Sequence, residues 1–276
     1  MDWSIKDTIW IAFDTETTGL SSAMDSVVEI GAVKFDTHGN TLGEFQSLIN
    51  PGRMIPPSVT AVHGITDEDV RDAPSADSVL PGFFEFIGPR DNILIAHNAS
   101  FDAGFVGAEM ERAGLGSDGH MILDTLSLSR RVLKGHQSQS LNNLARDLEV
   151  DASGHHRALA DSVITKEVFL KLLDRMSGVV SFEDLLDFTR IYRFTGYSRI
   201  PGKGIEGFQH FQYAIGKGMP VQMIYRGGSR GGAPRRITPQ GVIRTRGYHY
   251  IKAFCHLDGE EKEFRLDKVE RFLPVE

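Results

Sequence analysis

Five side chains on three separated segments carry the chemistry this sequence offers. Asp14 and Glu16 stand two apart in Phe13-Asp14-Thr15-Glu16-Thr17-Thr18-Gly19, at the end of an apolar run that reads as a strand. Residues two apart on a strand share a face, so both carboxylates point the same way. Like charges so close repel unless a cation lies between them, and hard oxygen ligands suit Mg2+ or Mn2+. Asp102 closes Ala96-His97-Asn98-Ala99-Ser100-Phe101-Asp102, where a buried strand runs into a polar turn and then a helix. In open α/β sheets the crevice beyond the strand ends is the usual site.

The third segment is His156-Arg157-Ala158-Leu159-Ala160-Asp161. Were His156 and Asp161 both helical, they would stand about 140° apart at ~100° per residue. His156 is therefore expected just before the helix, after Ser153-Gly154, where it can swing over the site that Asp161 faces. Imidazole side chains titrate close to neutral pH, which makes a histidine beside a carboxylate cluster a candidate general base.

Each segment alone also has a plain structural role. Asp-x-Glu fits an acidic turn after an edge strand, Asp102 a first-turn acid favoured by the helix dipole, and Asp161 an i,i+4 surface pair with Arg157. Together, Asp14, Glu16, Asp102 and Asp161 form a cage for two divalent cations, Mg2+ or Mn2+, and with His156 they fit in-line hydrolysis of a phosphodiester.

Positioning these groups requires a particular succession of elements. Thr8–Phe13 reads as a short buried strand. Val27–Phe35 and Leu42–Ile49 are two more, joined by the turn cluster His38-Gly39-Asn40, and Asn92–Ala96 is a fourth. Ser75 is placed to cap a helix toward Ile87 that Pro81 and Gly82 would kink or shorten. Phe101–Ala113, Leu123–Leu133, Ser140–Leu148, Arg157–Arg175 and Ser181–Arg190 have helical spacing. Early strands followed by one strand and several helices give an α/β class with a mixed sheet.

The texture then changes. Gly196–Gly207, with four glycines and a proline, reads as a linker. Beyond it come a short helix, Phe208–Ile215, and short strands at Val221–Tyr225, Val242–Thr245, Tyr248–Cys255 and Glu263–Leu266. That pattern suggests a small, mostly β, barrel-like domain. The expected organisation is a catalytic domain over 1–190, a linker over 191–207 and the small domain over 208–276.

Charge is distributed along the same division. The 276 residues carry a formal net charge of −7, which taken whole argues against a polyanion ligand. Residues 1–190, however, hold 15 basic and 29 acidic side chains, whereas 191–276 hold 15 and 8; within Arg193–Lys252, 11 basic residues face only Glu206. Such asymmetry points to a nucleic acid or another anionic partner. The single cysteine, Cys255, excludes an intrachain disulfide and a Cys-rich zinc site. A reducing, cytoplasmic setting with no membrane association is the expectation, since Met1–Asp7 carries no basic-then-apolar leader pattern and no apolar run approaches ~20 residues.

The three motifs, in this order and with the five-residue His-to-Asp interval, resemble the DnaQ-like exonucleases of the DEDDh group. Val62-His63-Gly64-Ile65-Thr66 is similar to that family's segment between the first two motifs. The resemblance spans residues 7–175. It implies a ribonuclease H-like α/β fold, two Mg2+ or Mn2+ ions held by Asp14, Glu16, Asp102 and Asp161, His156 as the base, and 3′→5′ removal of nucleoside 5′-monophosphates. It further implies substrate contacts from Thr15 and Thr17 at the terminal nucleotide, from His97, Asn98 and Phe101 along the strand's path, and from His63 on the opposite wall. A capping Thr, a helix-start Asn and a core Phe are the corresponding structural roles.

In Arg226-Gly227-Gly228-Ser229-Arg230-Gly231-Gly232-Ala233-Pro234-Arg235-Arg236, four arginines sit among glycines, so Arg226, Arg230 and Arg236 are candidate phosphate contacts. A long solvated hairpin loop is the alternative. Residues 208–273 resemble the WYL domains, SH3- or Sm-like barrels of bacterial regulators and nucleases, with His249-Tyr250-Ile251 in place of Trp-Tyr-Leu. The combined expectation is a 3′→5′ exodeoxyribonuclease acting on DNA 3′ ends, single-stranded for preference, in repair or proofreading alongside repair or replication proteins. The alternatives are a ligand-sensing, nucleic-acid-binding regulator with little nuclease activity, and an RNA 3′-trimming exoribonuclease.

Overall fold

A computed structural model describes residues 8–116, 119–135, 138–152, 156–176, 182–194, 205–208, 210–211, 214, 218–227, 232–245 and 248–274. The chain divides into two compact units, Met1–Thr17 with Val27–Gly196, and Thr18–Ser26 with Tyr197–Glu276.

In the first unit, alternation along the first strand decides which helix covers which face. Strands β1 (Trp10–Thr17), β2 (Val27–Phe35), β3 (Thr41–Leu48), β4 (Ile93–Ala96), β5 (Ile122–Asp124) and β6 (Ile191–Tyr192) form one sheet in the order β3-β2-β1-β4-β5-β6. The β1–β4 and β4–β5 ladders are parallel; β1–β2, β2–β3 and β5–β6 are antiparallel. This is the expected mixed sheet. Central strands with both faces covered must be apolar throughout. Trp10 and Ala12 join Val33, Phe35, Ile93 and Ile95 in a core completed by α5 (Thr125–Val132), α6 (Leu141–Asp147) and α7 (Ala158–Asp174). Ile11 and Phe13, on the opposite face, join Ile30, Ala32, Leu94 and Ala96 under α3 (Ala76–Ile87) and α4 (Ser100–Arg112). Asp14 and Glu16 continue the Trp10–Ala12 row and so lie on the α7 face, while Thr15 and Thr17 lie on the α4 face. The Trp10 and Phe169 rings, 4.8 Å apart, hold α7 across β1 at a gain of roughly 0.5–1.5 kcal/mol beyond area burial.

Several local expectations change. β1 continues to Thr17, so Asp14 and Glu16 are strand residues rather than residues following a strand. Leu123 is not helical: Ile122–Asp124 is a strand, and the helix begins at Thr125 because the Asp124 carboxylate caps the amides of Leu126 and Ser127. Two short helices, α1 (Pro57–His63) and α2 (Asp67–Val70), add to the expected elements; both are too short to show a clear period, although α2 carries a capping box from Thr66 and Asp69. The helix read over Ser181–Arg190 is confined to α8 (Phe182–Leu186), and the chain then enters the β6 edge strand. α3 runs through Pro81 for twelve residues.

The second unit contains a five-stranded antiparallel sheet in the order β10-β9-β8-β7-β11. Its strands are β7 (Val221–Tyr225), β8 (Pro234–Thr245), β9 (Tyr248–Cys255), β10 (Glu260–Arg265) and β11 (Val269–Pro274). Among the described residues no pairing joins its edge strands, β10 and β11. β8 starts eight residues earlier than the strand expected at Val242, and a register shift between Pro239 and Gly241 absorbs the proline within it. Arg235 and Arg236 are therefore strand residues, not loop residues. β11 was not expected because Val269-Glu270-Arg271-Phe272 mixes charge with only two apolar positions. Phe211 stacks on Phe272 at 4.4 Å in the core of this unit, with Ala23 and Met24 packed against the same core. Parts of the expected linker (195–204), of the Phe208–Ile215 helix and of the Arg-Gly loop (228–231, including Arg230) lie outside the described residues, as does Gly247. Among the described residues, no helix is long and apolar enough to cross a membrane.

Candidate active site

Asp14 lies opposite Gly31 in the β1–β2 ladder, and Glu16 opposite Glu29. Gly31 is what allows α7 to reach these acids. A Cβ built on it would stand 2.2 Å from the Leu159 nitrogen and 2.4 Å from the Ala158 carbonyl carbon. The first turn of α7 thus lies directly on the β2 backbone, and the Ser162 hydroxyl donates to the Gly31 carbonyl at 3.0 Å. Asp161, in that first turn, is brought against the β1 acids. One oxygen from each of Asp14, Glu16 and Asp161 lies within 4.8 Å of the others, the one such group of potential metal ligands among the described residues.

Asp102 arrives from the other face. Its Oδ1 accepts the Thr15 amide at 3.0 Å and the Thr15 hydroxyl at 2.8 Å. The turn that delivers it is held by Asp124, whose Oδ1 accepts the amides of Asn98 and Ala99 at 3.1 and 3.2 Å while its two oxygens cap α5. Asn98 takes the left-handed conformation there, with φ of 67°, which asparagine tolerates better than most residues.

Burial and neighbouring carboxylates disfavour the charged forms of Asp14, Glu16 and Asp102. Burial first, then the charges of Asp102, Asp161 and Glu16, push the Asp14 carboxyl well above its ordinary range. Burial, followed by Asp161, Glu29 and Asp102, raises Glu16 to about 8 against some relief from Arg157. Burial also raises Asp102 to about 7, although the two Thr15 hydrogen bonds pull it down. Such a set is poorly stable as bare anions and gains strongly from a divalent cation. All-oxygen donors fit Mg2+ or Mn2+, so Asp14, Glu16 and Asp161, with Asp102 alongside, are the residues that would hold the metal.

His156 precedes α7, as expected. It is exposed, adopts φ of 71°, and its amide donates to Asp161 Oδ2 at 3.2 Å. A left-handed non-glycine residue costs about 1–2 kcal/mol, so its neighbours must hold it. The Arg157 guanidinium does not pair with the Asp161 carboxylate, although the Arg157 carbonyl accepts the Asp161 amide at 2.9 Å. The guanidinium Nε and Nη2 reach Glu29 at 3.0 and 2.6 Å, and Glu29 also accepts the Ala158 amide at 2.9 Å and the Gln46 side chain at 2.9 Å. Burial would raise the Glu29 carboxyl, but these donors outweigh it and hold it low.

The candidate substrate contacts divide into several groups. Thr15 is buried and engaged with Asp102, and Thr17 is buried beside it on the same face. His63 is buried, its Nδ1 accepting the Ile65 amide at 3.0 Å; burial lowers its pKa, the Thr17 backbone and Glu29 oppose this, and the charges of Arg157 and His156 add to it. His97 is used within the fold. Its Nε2 donates to the Gln139 carbonyl at 2.9 Å and its Nδ1 lies 3.0 Å from the Thr125 hydroxyl, with burial holding its pKa low. Asn98 is exposed, and Phe101 is half-buried with its ring 4.7 Å from that of Phe105. In the second unit, Arg226 is exposed and paired with Glu270 at 2.7 Å, and Arg236 is exposed on β8. Glu29, Gly31 and Asp124 were missed from sequence. An acid and a glycine inside the otherwise apolar Val27-Val28-Glu29-Ile30-Gly31-Ala32-Val33, and an Asp-Thr step after Ile122-Leu123, were the available signals.

Residues 206–273 match the WYL domain model. A curated relative, the PolC-type DNA polymerase III of Staphylococcus epidermidis, is 38% identical over 175 residues; these cover 63% of this chain but 12% of the polymerase, so the chain spans about an eighth of that relative's length. Exonuclease X, solved with 5′-overhanging duplex DNA, superposes with a TM-score of 0.52 at 29% identity, covering 65% of this chain and 98% of that one. Escherichia coli exonuclease I, solved with single-stranded DNA, shares the fold with a TM-score of 0.58 at 16% identity, over 90% of this chain and 54% of its own. Residues 11–169, which contain β1 through most of α7 and all of the acids above, match the RNase T exonuclease model, and the chain belongs to that exonuclease family.

Proposed function

We propose that the protein is a metal-dependent 3′→5′ exonuclease that hydrolyses the terminal phosphodiester of DNA, preferably single-stranded, and releases nucleoside 5′-monophosphates. The observation that carries this reading is the convergence of Asp14, Glu16 and Asp161 within 4.8 Å, beside a histidine whose amide is bonded to one of them. Asp14, Glu16, Asp102 and Asp161 would hold Mg2+ or Mn2+, which when bound would supply Lewis acidity and neutralise charge at the reacting phosphate. Thr15 fixes the orientation of Asp102. His156, whose amide donates to Asp161, is the group assigned to accept the proton of the attacking water.

DNA is favoured over RNA by the likeness to exonuclease X, 29% identical and solved with DNA, and to the PolC-type DNA polymerase III, which also supports a setting in proofreading or repair. The second unit contributes Arg226 and Arg236 as contacts to the phosphate backbone, with Arg226 exchanging Glu270 for a phosphate. A cytoplasmic location accords with the single, buried Cys255.

The test is incubation of the purified protein with 3′-labelled DNA and RNA strands and duplexes in Mg2+ or Mn2+. Mononucleotides should appear from DNA 3′ ends, fastest from single strands, and Asp14→Ala should lower the rate by at least about 10³-fold, the equivalent of the several kcal/mol such ions supply. Faster release from RNA would reassign the substrate. Tight binding with no hydrolysis of any end would replace the enzyme reading with that of a binding regulator.

A further inference from the structure

The ion pair between Glu29 and Arg157 stands outside every role assigned so far, yet it joins the two chain segments that frame the site. Glu29 is fully buried in the middle of β2, on the face that α7 covers. Its two oxygens accept four hydrogen bonds: two from the Arg157 guanidinium, one from the Ala158 amide and one from Gln46. The Arg157 side chain forms no cap of its own on α7. The strand carboxylate performs that function by accepting the first helical amide. The residue immediately before this clamp is His156, exposed, with φ of 71°.

We infer that Glu29 and Arg157 form a positioning pair for the general base, a fork-to-carboxylate clamp that holds His156 in its left-handed conformation over the carboxylate cluster. The pair acts through His156 and does not itself hold the metal. A forked guanidinium suits this task because two parallel hydrogen bonds fix direction as well as distance, which an ammonium cannot do. The close contact of Gly31 with Ala158 and Leu159 and the Ser162 hydroxyl on the Gly31 carbonyl hold the first turn of α7, and Asp161 in it, without the guanidinium, so loosening the clamp displaces the base more than the acids.

This inference rests on the nuclease reading above. The experiment compares wild type, Arg157→Met, Arg157→Lys and Glu29→Gln, each alone and combined with His156→Ala. It measures kcat and KM on a single-stranded DNA end and Mn2+ affinity by direct titration. Arg157→Met should lower kcat by on the order of 10²-fold, the loss expected when a reacting group is misplaced by about 1 Å. KM and Mn2+ affinity should stay within about twofold, and in the His156→Ala background the same substitution should cost less than about twofold. Arg157→Lys and Glu29→Gln should give smaller losses that also vanish in that background, which keeps the test intact if Arg157→Met does not fold. An equal loss with and without His156, a parallel fall in Mn2+ affinity, or an unchanged kcat would each overturn the positioning role. A wild-type protein that binds Mn2+ but releases no nucleotide would sink the nuclease reading and this role together.

Discussion

Thr15 and Asp102 are joined twice, through the Thr15 amide at 3.0 Å and its hydroxyl at 2.8 Å, both onto the same carboxylate oxygen. The strand that carries two of the acids therefore also orients a third, from its opposite face. Thr15→Val keeps the amide bond and the shape but removes the hydroxyl. A hydrogen bond to a charged group contributes about 1.5–3 kcal/mol, and losses of supporting partners at metal sites run to roughly 10–100-fold. Mn2+ affinity near neutral pH should fall within that range, and raising the pH should restore part of it, because the Asp102 carboxyl loses a partner that favours its ionised form. Unchanged affinity would show that the amide alone suffices.

Gly31→Ala tests the close approach of α7 to β2. The new methyl meets three backbone atoms, at 2.2, 2.4 and 2.5 Å, and none can yield unless the helix moves. Overpacking of this kind costs about 1–3 kcal/mol, visible as a lower thermal midpoint. Because Asp161 and His156 travel with α7, Mn2+ affinity and nuclease rate should fall together in this variant, in contrast to the clamp variants. A stable, fully active Gly31→Ala protein would contradict this geometry.

The raised carboxyls predict opposite pH trends for metal binding and for the stability of the metal-free protein. Cation binding requires the ionised acids, so with Glu16 at about 8 and Asp102 at about 7, affinity should climb as pH rises through 7 and 8. Titrating Mn2+ into weakly buffered protein near neutrality should release protons. In the metal-free protein these groups hold protons that the unfolded chain, with ordinary values near 4, has already lost. Stability should therefore decline as pH rises from about 4 to about 8, and added Mn2+ should reverse the decline. Thermal melts across pH, with and without the ion, provide the check.

Arg226 and Arg236 are expected to contribute through charge alone. Replacing both with alanine should reduce the slope of log affinity against log salt for a DNA single strand by about 0.7 for each phosphate that the two arginines neutralise. A salt slope identical to that of wild type would remove both arginines from the substrate path.

The sequence alone set the chemistry to expect. Asp14, Glu16, Asp102, His156 and Asp161 stood out by residue type and order as a candidate carboxylate cage with a base, the structure brings oxygens of Asp14, Glu16 and Asp161 within 4.8 Å of one another, and the apolar runs between the motifs form the expected mixed sheet and its helices. Only the tertiary structure decided how the cage is held. The partners of Thr15, Arg157 and the α7 terminus are 87, 128 and 127 residues distant: Asp102 for the first, Glu29 for the second, and Gly31 against Ala158 for the third. The same placement turned His97 inward and assigned Arg157 to Glu29 rather than to the nearby Asp161. Local periodicity reports which face of an element is apolar. It does not report which distant backbone will lie against a glycine, or which buried carboxylate will accept a guanidinium, because those pairings exist only once the sheet has set its register.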